Sequence, residues 1–217
     1  MNGHDHEPVR GLPAPLPDGE TILWQGGPNW QTLARRAMRV RVVTVYFVLL
    51  AVWGISGGVS AGTSAWDIAL STLRLGALGM VAVAILALFA WLVARTTVYT
   101  ITTRRVVIRF GIALPITLQV AFPMINTAGV HLWSGGHGDI ALVVQPAKPR
   151  ISYFVMWPHV RPWKMNHVEP MLRCVPDAAG VAQILGRALA ASASQPAQAM
   201  PVSAVAGDSS AHVPAAA

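Results

Sequence analysis

Trp157, Pro158, His159, Val160, Arg161, Pro162 and Trp163 set two indoles, an imidazole and a guanidinium among two prolines, the chemistry of a recognition surface. Proline fixes φ, so these groups are held on a stiffened backbone. Three uses are open to the stretch. It can contact a partner protein, where Trp and Arg are enriched. It can anchor at a lipid headgroup layer, which favours indole and suits the flanking Arg150 and Lys164. Or its tryptophans can fold back over a β core.

Groups for acid–base or nucleophilic work are sparse. Between Arg95 and Leu189 stand ten Lys and Arg but only Asp139, Glu169 and Asp177 as acids. Catalysis requires convergent groups, and no Gly-x-x-x-x-Gly-Lys, His-Glu-x-x-His or Gly-x-Ser-x-Gly motif occurs. The chain is therefore expected not to be an enzyme. The turn Gly135, Gly136, His137, Gly138 has the glycine content of a phosphate loop, yet it falls between two strand candidates with no helix N-terminus beside it. His4, Asp5 and His6 could hold a metal weakly, but a terminal position does not make a dedicated site. The single cysteine, Cys174, excludes an intrachain disulfide and suits a reducing compartment. No metal or cofactor is expected.

The elements that must carry these residues are dominated by two apolar runs, 42–59 and 75–94, neither containing Asp, Glu, Lys, Arg or His. Each is close to the ~20 residues a helix needs to cross ~30 Å of hydrocarbon. Neither has the polar stripe of a helix buried in a soluble domain, so a transmembrane hairpin over 42–94 is expected. Arg35, Arg36, Arg39 and Arg41 precede the first run and Arg95 follows the second, with Arg104, Arg105 and Arg109 beyond it. The connecting loop holds only Asp67 and Arg74 as charges, so both termini should be cytoplasmic, with Arg35, Arg36, Arg39, Arg41 and Arg95 at the membrane interface. Some forty polar and mixed residues precede the first run, which argues against a cleaved signal peptide. Gly54 and Gly58 in the first run, with Gly76 and Gly79 in the second, allow close helix approach. They can pack the hairpin on itself or form a homodimer.

Residues 1–19 read as an extended arm. Residues 20–25 have strand composition and stop at Gly26, Gly27 and Pro28; residues 31–41 read as a basic amphipathic helix. Beyond Ala94 the period becomes that of strands, at 96–101, 105–110, 116–121, 127–133, 139–145 and 151–156. Asp177 can cap a helix carrying Val181, Ile184, Leu185 and Ala188 on one face, and the Ala-, Ser- and Pro-rich residues 191–217 should be disordered. Six short strands imply a small barrel or sandwich. The net charge of +7 is carried by the segment after the hairpin, where it would be drawn to anionic lipid headgroups. The cations are dispersed and match no nucleic-acid module, so nucleic acid is not an expected partner.

Two stretches are specific enough to name a family: Leu16-Pro-Asp-Gly-Glu20-Thr-Ile-Leu-Trp24-Gln-Gly-Gly-Pro28 and, after the hairpin, Tyr99-Thr-Ile-Thr-Thr-Arg104-Arg105-Val-Val-Ile-Arg-Phe-Gly111. With them the chain resembles the membrane-anchored bacterial pleckstrin-homology-like proteins. His4-Asp-His-Glu-Pro-Val-Arg-Gly-Leu-Pro13, Gly136-His-Gly-Asp-Ile140, the Trp157 to Trp163 stretch and Glu169-Pro-Met-Leu-Arg173 are similar to one subfamily. These are the photosynthetic complex assembly proteins of purple bacteria, and the likeness covers roughly residues 4–190.

The resemblance implies a membrane α + β architecture: a two-helix hairpin bearing a cytoplasmic pleckstrin-homology-like domain over 95–190. That domain would have seven curved strands closed by a C-terminal helix, with the strand near Ile22 as the seventh. It also implies an inner-membrane or intracytoplasmic-membrane assembly factor that binds reaction-centre and core antenna subunits; it supplies no catalytic or ligand residues. All seven histidines lie outside the apolar runs, which excludes bacteriochlorophyll ligation by His within the bilayer. The alternative is a lipid-binding or envelope-homeostasis module with no photosynthetic client.

Overall fold

The computed structural model describes residues 11–12, 15–133, 135–145, 153–162 and 168–194. Most of the N-terminal arm, the tail from residue 195, Trp163, His4, His6, His167 and His212 lie outside the described residues. A short strand, β1 (Ile22–Gly26), precedes three helices: α1 (Trp30–Arg36), α2 (Val40–Ser60) and α3 (Ala65–Thr96). Then come β2 (Val98–Thr102), β3 (Arg105–Phe110), β4 (Ile116–Ala121), β5 (Ile125–Leu132) and β6 (Gly138–Val144). The described chain closes with α4 (Tyr153–Met156), β7 (Met171–Val175) and α5 (Ala178–Ser194).

The strands form two antiparallel sheets, β1-β2-β3-β4 and β5-β6-β7. Their inner faces and α5 share one core built on Tyr99, Ile101, Ile108, Ile140, Leu142, Leu172 and Leu185. Asp177 accepts a hydrogen bond from the Gly180 N–H at 3.3 Å, capping α5, whose Val181, Leu185 and Ala188 face that core. A second cluster joins the helices to the β domain, where Leu33, Ala34 and Met38 pack on Ala90, Val93 and Cys174.

β1 pairs with β2 across the whole hairpin, Gln25 opposite Thr100 and Gly26 opposite Tyr99. One buried ion pair holds its entry. Arg105 Nε and Nη2 donate to the two Glu20 carboxylate oxygens at 2.9 Å each, with the Glu20 side chain only 2 % exposed. A bidentate pair of this kind is a strong one. Glu20→Ala is expected to lower stability by about 1–2 kcal/mol, because Arg105 keeps water and Gln119 as partners. Thermal melts of the purified full-length protein would check this.

Two helices are long and apolar enough to cross a membrane, Val40–Ser60 and Ala65–Thr96. α3 begins about ten residues before the second apolar run. Ser64 accepts from the Asp67 N–H at 3.3 Å, a cap strong enough to start the helix in the polar segment. At 1.5 Å per residue its 32 residues span about 48 Å, more than a bilayer core requires. The basic amphipathic segment is also shorter than its pattern. α1 ends at Arg36, and Arg39, at φ 50, turns the chain into α2. Asn29 caps α1 by accepting from the Thr32 N–H at 3.0 Å.

Two strand assignments change. The reading of 151–156 as a strand is wrong for its described part, because Tyr153–Met156 is a helical turn. β6 is flanked by β5 and β7, and the turn instead buries Met156 in the core, which overrides the β propensity of the segment. The last strand is Met171–Val175, where the sequence reading places none, and the described residues thus hold seven strands.

Candidate functional site

The joint between α3 and the β domain gathers the buried polar groups. Thr97 directly follows α3, Tyr99 lies on β2, Asp139 on β6, and Arg173 and Cys174 on β7. His159 sits among them, 1 % exposed. Its Nδ1 is 2.8 Å from the Tyr99 hydroxyl and its Nε2 is 3.2 Å from Thr97 Oγ1. Tyr99 also accepts the Arg173 N–H at 3.1 Å, so the phenol proton points to Nδ1 and the imidazole carries its own proton on Nε2. Burial, then the nearby Arg173 charge, push His159 down to about 3, which keeps the ring neutral. Burial holds the Tyr99 phenol protonated, shifting it upward.

Asp139 Oδ1 accepts the Cys174 N–H at 2.8 Å, and Oδ2 lies 3.7 Å from Arg173 Nε. Arg173 Nη1 donates to the Pro158 carbonyl at 3.3 Å, while its buried Nε makes no hydrogen bond among the described residues. Burial raises the Asp139 pKa despite these partners, because a loose ion pair repays only part of the desolvation. The Cys174 thiol is pushed up to about 12, by burial first and then by the Asp139 charge. It is a packing residue, not a thiolate. The Cys174 carbonyl in turn accepts the Asn29 N–H at 2.9 Å, tying β7 to the start of α1. Among the described residues no three His, Cys, Asp or Glu stand together as metal ligands.

The Trp157 stretch is split by the fold. Pro158 and His159 are interior, which corrects the reading of them as exposed contact residues: the imidazole has both nitrogens engaged and no surface to offer. Trp157 stays 43 % exposed and stacks on Phe89 of α3, centroids 6.0 Å apart. Arg161 is exposed and donates to Glu169 at 3.0 Å, and Pro162 is exposed beside it. Arg35, Arg36, Arg39, Arg41 and Arg95 all lie where the chain enters and leaves the helical hairpin. Arg36 stacks over Trp133 and Arg95 over Trp91, both at 5.2 Å. Gly58 faces Ile68 and Gly79 faces Phe47 inside the hairpin, whereas Gly54 and Gly76 face open space. The Gly135 to Gly138 turn does meet a helix N-terminus, that of α5, contrary to its sequence reading. The Ala178 N–H is already taken there by the Gly136 carbonyl at 3.0 Å.

Sequence reasoning missed Asp139, Tyr99, Thr97 and Arg173 as one cluster. The available signal was Asp139, an acid inside a strand candidate, where a charge must find a partner. A pocket of about 160 Å³ opens beside this cluster, between the end of α3, the β3–β4 turn and the Val155 to His159 segment.

Two sheets of four and three strands with a closing helix define a pleckstrin-homology-like class, here grafted onto an apolar helical hairpin. The chain belongs to the bacterial PH domain family, which matches residues 40–189. It is 39% identical over 201 residues to a Rhodobacter capsulatus protein described as an uncharacterized 23.7 kDa protein in the puhA 5′ region. The alignment covers 90% of this chain and 92% of that relative. No solved structure matches the chain.

Proposed function

We propose that this protein is a non-enzymatic assembly factor for the photosynthetic reaction centre and its core light-harvesting complex. The carrying observation is the relative whose description places it in the puhA region, a reaction-centre gene region, at 39% identity over nearly the whole chain. In this reading α2 and α3 cross the inner membrane, including its photosynthetic intracytoplasmic part. Both termini are cytoplasmic, where the arginines cluster. No α2 residue is buried, so its apolar surface needs lipid as its solvent, which supports the crossing. The domain then binds nascent reaction-centre or antenna subunits at the cytoplasmic face and raises their encounter by confinement. Anionic lipid headgroups hold the basic domain there. Self-association through Gly54 and Gly76 is compatible with their open faces.

A deletion strain is expected to accumulate less core complex, and reaction-centre subunits are expected to co-purify with the protein from solubilised membranes. Normal core-complex levels in the deletion strain would overturn the reading. Co-purification of anionic lipid alone would favour the second one, an envelope-homeostasis or lipid-binding module without a photosynthetic client, which the basic charge also suits.

A further inference from the structure

The pocket beside the joint has a lining unlike a polar ligand site. Phe89 and Val93 of α3 form one wall, Phe110 and Ile116 of the sheet another, and Trp157 and Pro158 the third. The polar side chains that reach it, Thr96 and His159, are engaged elsewhere. The Thr96 hydroxyl donates to the Leu92 carbonyl at 3.0 Å, and both His159 nitrogens are bonded to Thr97 and Tyr99. A ligand here gains by burying hydrocarbon, since the Thr96 and His159 side chains already have partners.

The mouth is apolar as well. Ile112, Ile116, Val155 and Trp157 are 42 %, 39 %, 49 % and 43 % exposed. The β3–β4 turn that carries Ile112 depends on Gly111, at φ +120, where a Cβ would run into the Leu114 carbonyl. Size limits the occupant. A helix with its side chains is roughly 10 Å across, whereas about 160 Å³ is comparable to an engineered apolar cavity that takes benzene. Continuity selects among slender occupants. Ile85, one turn before Phe89 on the same face of α3, is 60 % exposed and faces lipid if α3 crosses the bilayer. The groove therefore prolongs the lipid-facing side of α3 up to the domain. Arg95, in the last turn, sets a cation at headgroup level.

We infer that this groove holds one acyl chain of a phospholipid from the cytoplasmic leaflet, clamped between the end of α3 and the Ile112, Ile116 and Trp157 side chains. The inference rests on the membrane-crossing part of the proposed function, not on the identity of any client.

The test uses full-length protein in nanodiscs of phosphatidylglycerol and phosphatidylethanolamine, doped with a phospholipid carrying a diazirine in its acyl chain. Adducts are mapped by peptide mass spectrometry. The peptide containing Trp157 should be labelled together with the lipid-facing residues of α2. Filling the mouth with Ile116→Trp or Val155→Trp, both at half-exposed positions, should cut labelling at Trp157 about tenfold, as when roughly two methylenes lose their burial. Labelling of α2 should not change. Labelled α2 with an unlabelled Trp157 peptide would overturn the groove alone. Labelling indifferent to the filling variants, or obtained only with diazirine palmitate and not with the phospholipid, would do the same. So would a crosslink from Trp157 to another polypeptide in native membranes. Absence of label on α2 as well would overturn the membrane crossing itself.

Discussion

Asp139→Ala is expected to lower the stability of the β domain by about 3–4 kcal/mol, the cost of breaking a buried ion pair from one side. The substitution strands the Arg173 guanidinium, 11 % exposed, with the Pro158 carbonyl at 3.3 Å as an acceptor. It also leaves the Cys174 N–H without its acceptor. Asp139→Asn should lose no more than about half as much. It keeps an acceptor for that N–H and removes a charge whose burial already raises the carboxyl pKa. The ordering of the two variants separates charge from hydrogen bonding, and equal losses would contradict this account. Because Cys174 holds Asn29 at the start of α1, limited proteolysis of Asp139→Ala should also show faster cleavage between the hairpin and the domain.

His159→Ala is expected to cost about 3–4 kcal/mol, combining a cavity beside Phe110 with an unpaired Tyr99 hydroxyl. It should also change the pH profile. Folded His159 stays neutral down to about pH 3, whereas the unfolded ring takes a proton near 6.5. Between those values the unfolded chain binds more protons, so stability falls as pH falls. From pH 7.5 to pH 5 this group should remove about 2 kcal/mol from the wild type, a slope that the variant lacks. Asp139 works in the opposite direction: with its pKa raised, the folded state gains from protonation as pH drops. Denaturant midpoints across that range for the wild type, His159→Ala and Asp139→Asn would resolve the two. A wild-type slope retained in His159→Ala would sink the buried-neutral assignment.

The stacked Trp157 and the buried His159 show where sequence reading stops. A Trp, His and Arg stretch between prolines looks alike whether its side chains point out or in, since composition carries no direction. The structure sends Trp157 to the helix, His159 to the core and Arg161 to the surface because Pro158 lies under Arg173 and the Val160 bridge pairs with Pro170. The strand Met171–Val175 was hidden for a related reason. Arg173 reads as a break in an apolar run until Asp139, 34 positions earlier, is placed beside it. Residues 153–156 went the other way: despite their β propensity they form a helical turn that buries Met156 in the core.

Local patterns alone determined two long apolar helices, the arginines at their ends, most of the short strands, and the C-terminal helix with its Asp177 cap. Each depends on near-neighbour spacing along the chain, which a linear text preserves. Only the tertiary structure decided the β1–β2 pairing across the hairpin, the Thr97, Tyr99, His159, Asp139 and Arg173 cluster, and the apolar groove beside it. Those depend on residues tens of positions apart meeting in a water-poor interior, where the energy of a side chain is set by its neighbours in space rather than in sequence.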